Sequence, residues 1–524
     1  MLFNSWTFAV FMVATFFGYH FIPWREGSRV VFQITLLTLA SYVFYAWHTP
    51  WLVLILAAST AINAYVTLRL LSSARREVSR RKLLLFGVVA NLAVLAFFKY
   101  ASLLVKSIFP HSWWSHWGFD LTQIPLPVGI SFFTFQGISL VVDVYRSGSV
   151  GIEGVRNPSS PRESRLLVLR IAFFKAFFPQ LVAGPIVKAH EFMYQIVPKS
   201  LRDVNWDAAI RCLILGYFLK MVVADNLKEA TAQLAYPAFL GLPGLNLLFL
   251  LYGFSFQIFA DFAGYSLIAI GLGRLFGYEL PVNFNFPYIA RSITEFWRRW
   301  HISLSTWLRE YLYYPLGGNR KGPIRTYVNL IVVMLLGGLW HGAAWSYMVW
   351  GGAHGLFLAI ERFFGVKGSV KMDSQSRISK AGEGNADLGM STIKTSGIQR
   401  LQPLIRSGVG GALTAVKILV TFHLVSLLWL LFQLPKFDEA LLYLRELGGW
   451  KAGLVPQPVF SILLFGSPVV LYHLWALARP GIEKTCTGLS RNPLPFLRDF
   501  AYAVLLFLIL TNSGSPGEFI YFQF

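Results

Sequence analysis

A dozen apolar stretches of membrane-crossing length, roughly 17 to 25 residues each, follow one another along this chain. They begin near Thr7, Val30, Trp51, Leu83, Leu126, Leu166, Ala208, Leu245, Val328, Val409, Val459 and Arg498. Composition agrees: 55% of the 524 residues are hydrophobic, 16% aromatic and only 14% charged, with a mean hydropathy of +0.54. A soluble globular chain carries about 25% charged residues. The expectation is an all-α, polytopic membrane protein with about 11 to 13 membrane-embedded helices, some broken or re-entrant, around a central tunnel.

The formal net charge of +21 does not point to nucleic acid, because the Lys and Arg residues lie in short loops between apolar stretches, the pattern of cytoplasmic connections. Arg25 and Arg29 follow the first stretch, Arg69, Arg75, Arg76, Arg80, Arg81 and Lys82 the third, and Arg146, Arg156, Arg162 and Arg165 the fifth. Every second connection is basic, which places the N-terminus outside the cytoplasm. Arg479, Lys484, Arg491 and Arg498 precede the last stretch and place the C-terminus outside as well. No Lys or Arg precedes the first stretch, so it is expected to remain as a helix rather than act as a cleaved leader. Cys212 and Cys486, the two cysteines, imply neither a disulfide framework nor a metal site.

Four regions differ in character. Residues 1–125 form plain apolar helices; Lys99, in Phe97-Phe98-Lys99-Tyr100, reads there as a lysine snorkelling to the interface. Residues 126–365 form the core, and from Phe178 to Gly355 aromatic, Gly, Pro and ionisable residues interleave with apolar ones. Breaks such as Phe178-Pro179-Gln180-Leu181 are poor in a straight helix, and non-helical backbone at membrane depth survives only where protein buries it or water reaches it. Residues 366–406, rich in Gly, Ser, Lys and Asp, bury too little apolar surface to offset ordering entropy and are expected to form a flexible cytoplasmic loop. Residues 407–524 add the last helices. The pairs Gly337-Gly338 and Gly351-Gly352 permit close helix approach.

Chemistry concentrates in two segments of the core. His341 lies in the apolar run Leu339-Trp340-His341-Gly342-Ala343-Ala344-Trp345, and an ionisable group at membrane depth costs a few kcal/mol or more, so it usually faces a cavity where it works. A buried imidazole is kept neutral and can accept a proton from a hydroxyl. The other segment, Arg291 to Leu312, reads as one amphipathic, Arg-rich helix at the cytoplasmic interface or a cavity floor, with Trp297, His301 and Ser305 sharing a face. His354 is expected to be structural, hydrogen-bonded to a neighbouring helix.

The strings Phe284-Asn285-Phe286-Pro287-Tyr288, Phe296-Trp297-Arg298-Arg299-Trp300-His301, Tyr313-Tyr314-Pro315-Leu316-Gly317-Gly318-Asn319-Arg320 and Leu339-Trp340-His341-Gly342 resemble the membrane-bound O-acyltransferase family. Within it they resemble the bacterial branch of alginate O-acetyltransferase-like and teichoic-acid D-alanyltransferase-like proteins. Supporting strings run from Leu126 through Asp261-Phe262-Ala263-Gly264-Tyr265-Ser266 to the C-terminal Phe519-Ile520-Tyr521-Phe522-Gln523-Phe524. Two positions depart from the alginate-type pattern: Leu267 stands where an acidic residue usually follows Gly-Tyr-Ser, and Phe286 where a polar side chain is expected.

The resemblance implies His341 as active-site residue and His301 as the second histidine, near the cytoplasmic mouth. It also implies a cytoplasmic acyl thioester, acetyl-CoA above all, as co-substrate, with no tightly bound cofactor and no metal. Arg298, Arg299, Arg320 and Lys321, with Asn319 beside them, are candidates for holding donor phosphates by charge-assisted hydrogen bonds; membrane anchoring explains the cations equally well. Trp297 and Trp340 are candidates for lining an apolar tunnel. The acceptor implied is an extracytoplasmic polysaccharide, reached directly or through a periplasmic acetyltransferase partner, with the chain in the bacterial inner membrane. D-alanyl transfer to teichoic acid, and non-catalytic transport of a glycan or lipid, are the other readings.

Overall fold

The computed structural model describes residues 1–22, 26–72, 77–108, 126–151, 160–182, 184–365, 408–486, 494–515, 517 and 519. Among the described residues all regular structure is helical. The first four helices are α1 (Trp6–Phe21), α2 (Arg29–Ala46), α3 (Leu52–Leu71) and α4 (Glu77–Ile108). Local signals set their starts: Ser5 Oγ accepts from Phe8 N at 3.2 Å to cap α1, and Glu77 places a negative charge at the positive end of α4. Then come α5 (Ile130–Ser147), α6 (Pro161–Ala176) and α7 (Trp206–Tyr217), which runs through a π-helical turn at Phe218–Ala224 into Asp225–Thr231. Next are α8 (Gly244–Leu275), two short helices α9 (Ile293–Trp297) and α10 (Ile302–Leu308), and the pair α11 (Gly322–His341) and α12 (Trp345–Phe363). The chain closes with α13 (Gly408–Gln433), α14 (Phe437–Gly448), α15 (Pro456–Cys486) and α16 (Leu494–Thr511).

Seven of these, α2, α3, α4, α8, α11, α13 and α15, contain a stretch long and apolar enough to cross a membrane. The molecule is an all-α, multi-pass membrane protein. α8 is its axis: buried along most of its length, it packs against α7, α13 and α15. Polar groups on α8 face protein and are paired there, as the bilayer demands. Ser255 Oγ donates to Ser426 Oγ at 2.9 Å, Gln257 accepts from Thr231 at 2.5 Å, and Asp261 lies 2.7 Å from Lys220 Nζ, which also meets Asp225 at 2.8 Å.

Helical order fails where the interleaved composition of 178–355 foretold it. After the short helix Phe178–Leu181 the chain runs extended through Pro185, Ile186, Val187 and Lys188, all buried, and Ile186 N donates to Ser303 Oγ at 2.9 Å. A Cβ on Gly184 would lie 2.5 Å from Gln180 Cα, so only glycine permits this return.

The stretch Arg291 to Leu312 is not the single amphipathic helix that its spacing suggested. It breaks between α9 and α10 at His301, whose φ of 42° lies in the left-handed region, sparsely populated by non-glycine residues. The cause is a distant loop: Asn283 O accepts from Ile302 N at 3.0 Å and Asn283 Oδ1 from Ser303 Oγ at 2.6 Å. These bonds replace helical ones, and Trp297, His301 and Ser305 do not share a helix face. Trp300 and His301 are fully buried within the protein. The loop expected at 366–406 and most of the 519–524 string fall outside the described residues.

Candidate active site

His341 is the last residue of α11, and the chain turns away at Gly342 in extended conformation. A helix terminus leaves its final carbonyls without intrahelical partners, and here another helix supplies them. Tyr100 OH donates to Leu339 O at 2.7 Å, while Lys99 Nζ donates to Trp340 O at 2.5 Å and His341 O at 3.1 Å. Lys99 therefore does not snorkel as its sequence position implied. It is 8% exposed because these carbonyls and Ser131 Oγ, 3.4 Å away, solvate its ammonium inside the protein.

The His341 ring is 4% exposed and enclosed by aromatic rings, with centroids 5.0 Å from Trp340, 5.2 Å from Trp350 and 5.3 Å from Phe432. The His301 ring lies 6.4 Å from it, fully buried and edge-on to Phe262 at 4.6 Å. Its left-handed backbone turns the ring inward while the Asn283 clasp holds it. Among the described residues neither ring nitrogen of His301 has a hydrogen-bond partner, and the indole N–H groups of Trp300, Trp340, Trp350 and Trp429 are likewise buried without one. Unmet buried polar groups cost about 1–3 kcal/mol each. Six such atoms around one histidine pair form a site with donors and acceptors to spare for a substrate.

Close backbone packing sets this geometry. A Cβ on Gly351 of α12 would lie 2.1 Å from Met334 O, and one on Gly338 of α11 2.1 Å from Tyr347 O, so the two helices touch only because these residues are glycine. His354 Nδ1 accepts from Trp297 Nε1 at 3.3 Å, a hydrogen bond to a neighbouring helix of the kind expected. Trp297 is thereby fixed beside Trp350, centroids 5.7 Å apart.

The candidate phosphate-binding residues separate in space. Arg299 is buried and turned into the fold, its guanidinium on Glu295 at 2.8 Å and Asn285 O at 3.0 Å. Arg298 is half-buried, while Asn319, Arg320 and Lys321 lie exposed on the turn before α11. Asn319 Oδ1 accepts from Tyr313 OH, and Asn329 Nδ2 braces the turn through Gly318 O at 3.0 Å.

Trp340 leads away from the histidines as an aromatic column. Its ring is 5.5 Å from Phe135, Phe135 stacks on Trp307 at 3.7 Å, and Trp307 on Tyr311 at 5.2 Å. Tyr311 OH donates to Asp143 at 2.7 Å, and the other Asp143 oxygen lies 2.8 Å from His190 Nδ1. That hydrogen bond with Asp143 holds His190 above the usual imidazole range.

Residues 111–392 match the MBOAT, membrane-bound O-acyltransferase family, over a span that contains both histidines. The chain is 40% identical over 375 residues, 71% of its length and 68% of the other's, to a protein of Pseudomonas aeruginosa named "Probable alginate O-acetylase AlgI". It is 38% identical over 380 residues, 70% of its length and 71% of the other's, to the peptidoglycan O-acetyltransferase of Helicobacter pylori. With the teichoic acid D-alanyltransferase of Bacillus subtilis it shares 28% identity over 247 residues, 45% of this chain and 59% of that one. On the length of the match and the identity to these relatives, the chain belongs to the membrane-bound O-acyltransferase family.

Proposed function

We propose that this protein transfers an acetyl group from a cytoplasmic thioester, acetyl-CoA, to hydroxyl groups of an extracytoplasmic polysaccharide, with His341 as general base. The observation that carries this reading is the His301–His341 pair, 6.4 Å apart, walled by aromatic rings at the end of α11. His341 removes the proton of the acceptor hydroxyl as that oxygen attacks the thioester carbonyl; the C–S bond breaks, and the departing thiolate takes up the proton. The indole N–H groups of Trp340 and Trp350, without partners among the described residues, suit the developing carbonyl oxygen. His301 orients the reactants, Arg298 and Arg320 meet the donor's phosphates, and Arg299 shapes the segment through Glu295. The donor is a co-substrate, and no tightly held cofactor enters the scheme. The polysaccharide is reached directly or through a periplasmic acetyltransferase partner, and the chain sits in the inner membrane with both termini outside.

The O-acetylating relatives match at 40% and 38% identity over about 70% of the chain, against 28% over 45% for the D-alanyltransferase, which favours acetyl over D-alanyl. The test uses membranes containing His341→Ala or His341→Gln and labelled acetyl-CoA. Loss of general-base catalysis predicts a fall in glycan acetylation of about 10² to 10⁴. Undiminished transfer by a folded variant overturns the assignment.

A further inference from the structure

A cavity of about 440 Å³ has Asn283 in its wall and neither histidine of the pair. Its walls come from the α7 π-turn, α8, the 282–284 loop, α15 and α16, and are apolar, with Leu267, Phe284, Leu471 and Trp475 among them. The polar atoms at its inner end are already paired: Asn283 Nδ2 donates to Ser266 Oγ at 3.0 Å, and Asn283 Oδ1 is held by Ser303. No polar ligand is called for. Towards the outside, Val282, Leu471 and Trp475 are 55%, 63% and 49% exposed, and the last two belong to a helix of membrane-crossing length. What meets them in a bilayer is hydrocarbon.

Leu267 lines the cavity, and Phe286 stacks on the wall residue Tyr472 at 4.3 Å. An acidic side chain at 267 would put an unpaired charge into an apolar space, which is prohibitive without a partner. Apolar cavities take apolar guests, and this one, about 440 Å³ and open towards the bilayer, admits a single apolar chain. We propose that the cavity binds one acyl tail of a bilayer phospholipid, a site separate from the acyl-transfer centre.

The probe is a phosphatidylglycerol carrying a photoactivatable diazirine near the end of one acyl chain, incorporated with dioleoylphosphatidylglycerol into nanodiscs around the full-length protein. Labelling is expected on peptides containing Leu267 and Leu471, and Leu267→Glu should reduce it at least tenfold while leaving labelling of the exposed Phe97 face of α4 unchanged. If Leu267→Glu fails to fold, Ala263→Trp, which fills the cavity with an apolar ring, should give the same selective loss. Equal labelling in wild-type and filled protein overturns the proposal, as does capture of a diazirine-bearing isoprenoid lipid in place of the phospholipid.

Discussion

Lys99 ends a helix to which it does not belong. Its ammonium fixes the carbonyls of Trp340 and His341, so the backbone of the proposed general base is held by a charge from α4. Hydrogen bonds to charged groups contribute about 1.5–3 kcal/mol, and a displacement of about 1 Å at a reacting group costs on the order of 10²-fold in rate. Lys99→Met is therefore expected to lower kcat for acetyl transfer by at least about tenfold with the acetyl-CoA KM little changed, measured in purified, folded enzyme. Unchanged kcat would show that the lysine holds structure alone. None of this was legible in Phe97-Phe98-Lys99-Tyr100, because the partners lie 241 and 242 residues away and local sequence speaks only for the near neighbourhood. His341 was legible, since an ionisable residue in an apolar run is conspicuous whatever surrounds it. His301 was legible as a candidate through its motif; its place beside His341 was not.

Among the elements, the α11–α12 pair follows directly from sequence. Gly337-Gly338 and Gly351-Gly352 announce close approach, and at Gly351 the approach leaves no room for even one carbon. Gly351→Ala is expected to destabilise the protein by about 1–3 kcal/mol through overpacking, read as a lower melting temperature in detergent. Gly448→Ala at the end of α14, where an added Cβ meets nothing within 4 Å, should be neutral or slightly stabilising. The 291–312 segment went the other way, because helical spacing is a local signal and the Asn283 clasp that breaks the helix comes from about 20 residues upstream. A periodic pattern cannot register a competitor for its backbone hydrogen bonds.

For the molecule as a whole, the all-α membrane architecture is written in the lengths of the apolar stretches, since hydrocarbon leaves the backbone few options. Less readable is how distant parts are tied at the rim, as in the His190–Asp143–Tyr311 contact joining α5 to segments that follow it by 47 and 168 residues. Asp143 raises His190 above its ordinary value of 6.5. A group raised in the folded state contributes stability that is complete below its unfolded value and lost as pH climbs through the folded one. The melting temperatures of wild-type and His190→Gln protein should accordingly differ most near about pH 5 to 6 and converge towards about pH 9; a gap constant across that range would exclude the pairing. The rings that close over His341 carry a bioenergetic consequence. Under the proposed transfer, a permanent pore between a thioester on one side and a glycan on the other would let protons run down their gradient; rings packed over the imidazole would instead admit each substrate by moving aside in turn and keep the membrane insulating between turnovers.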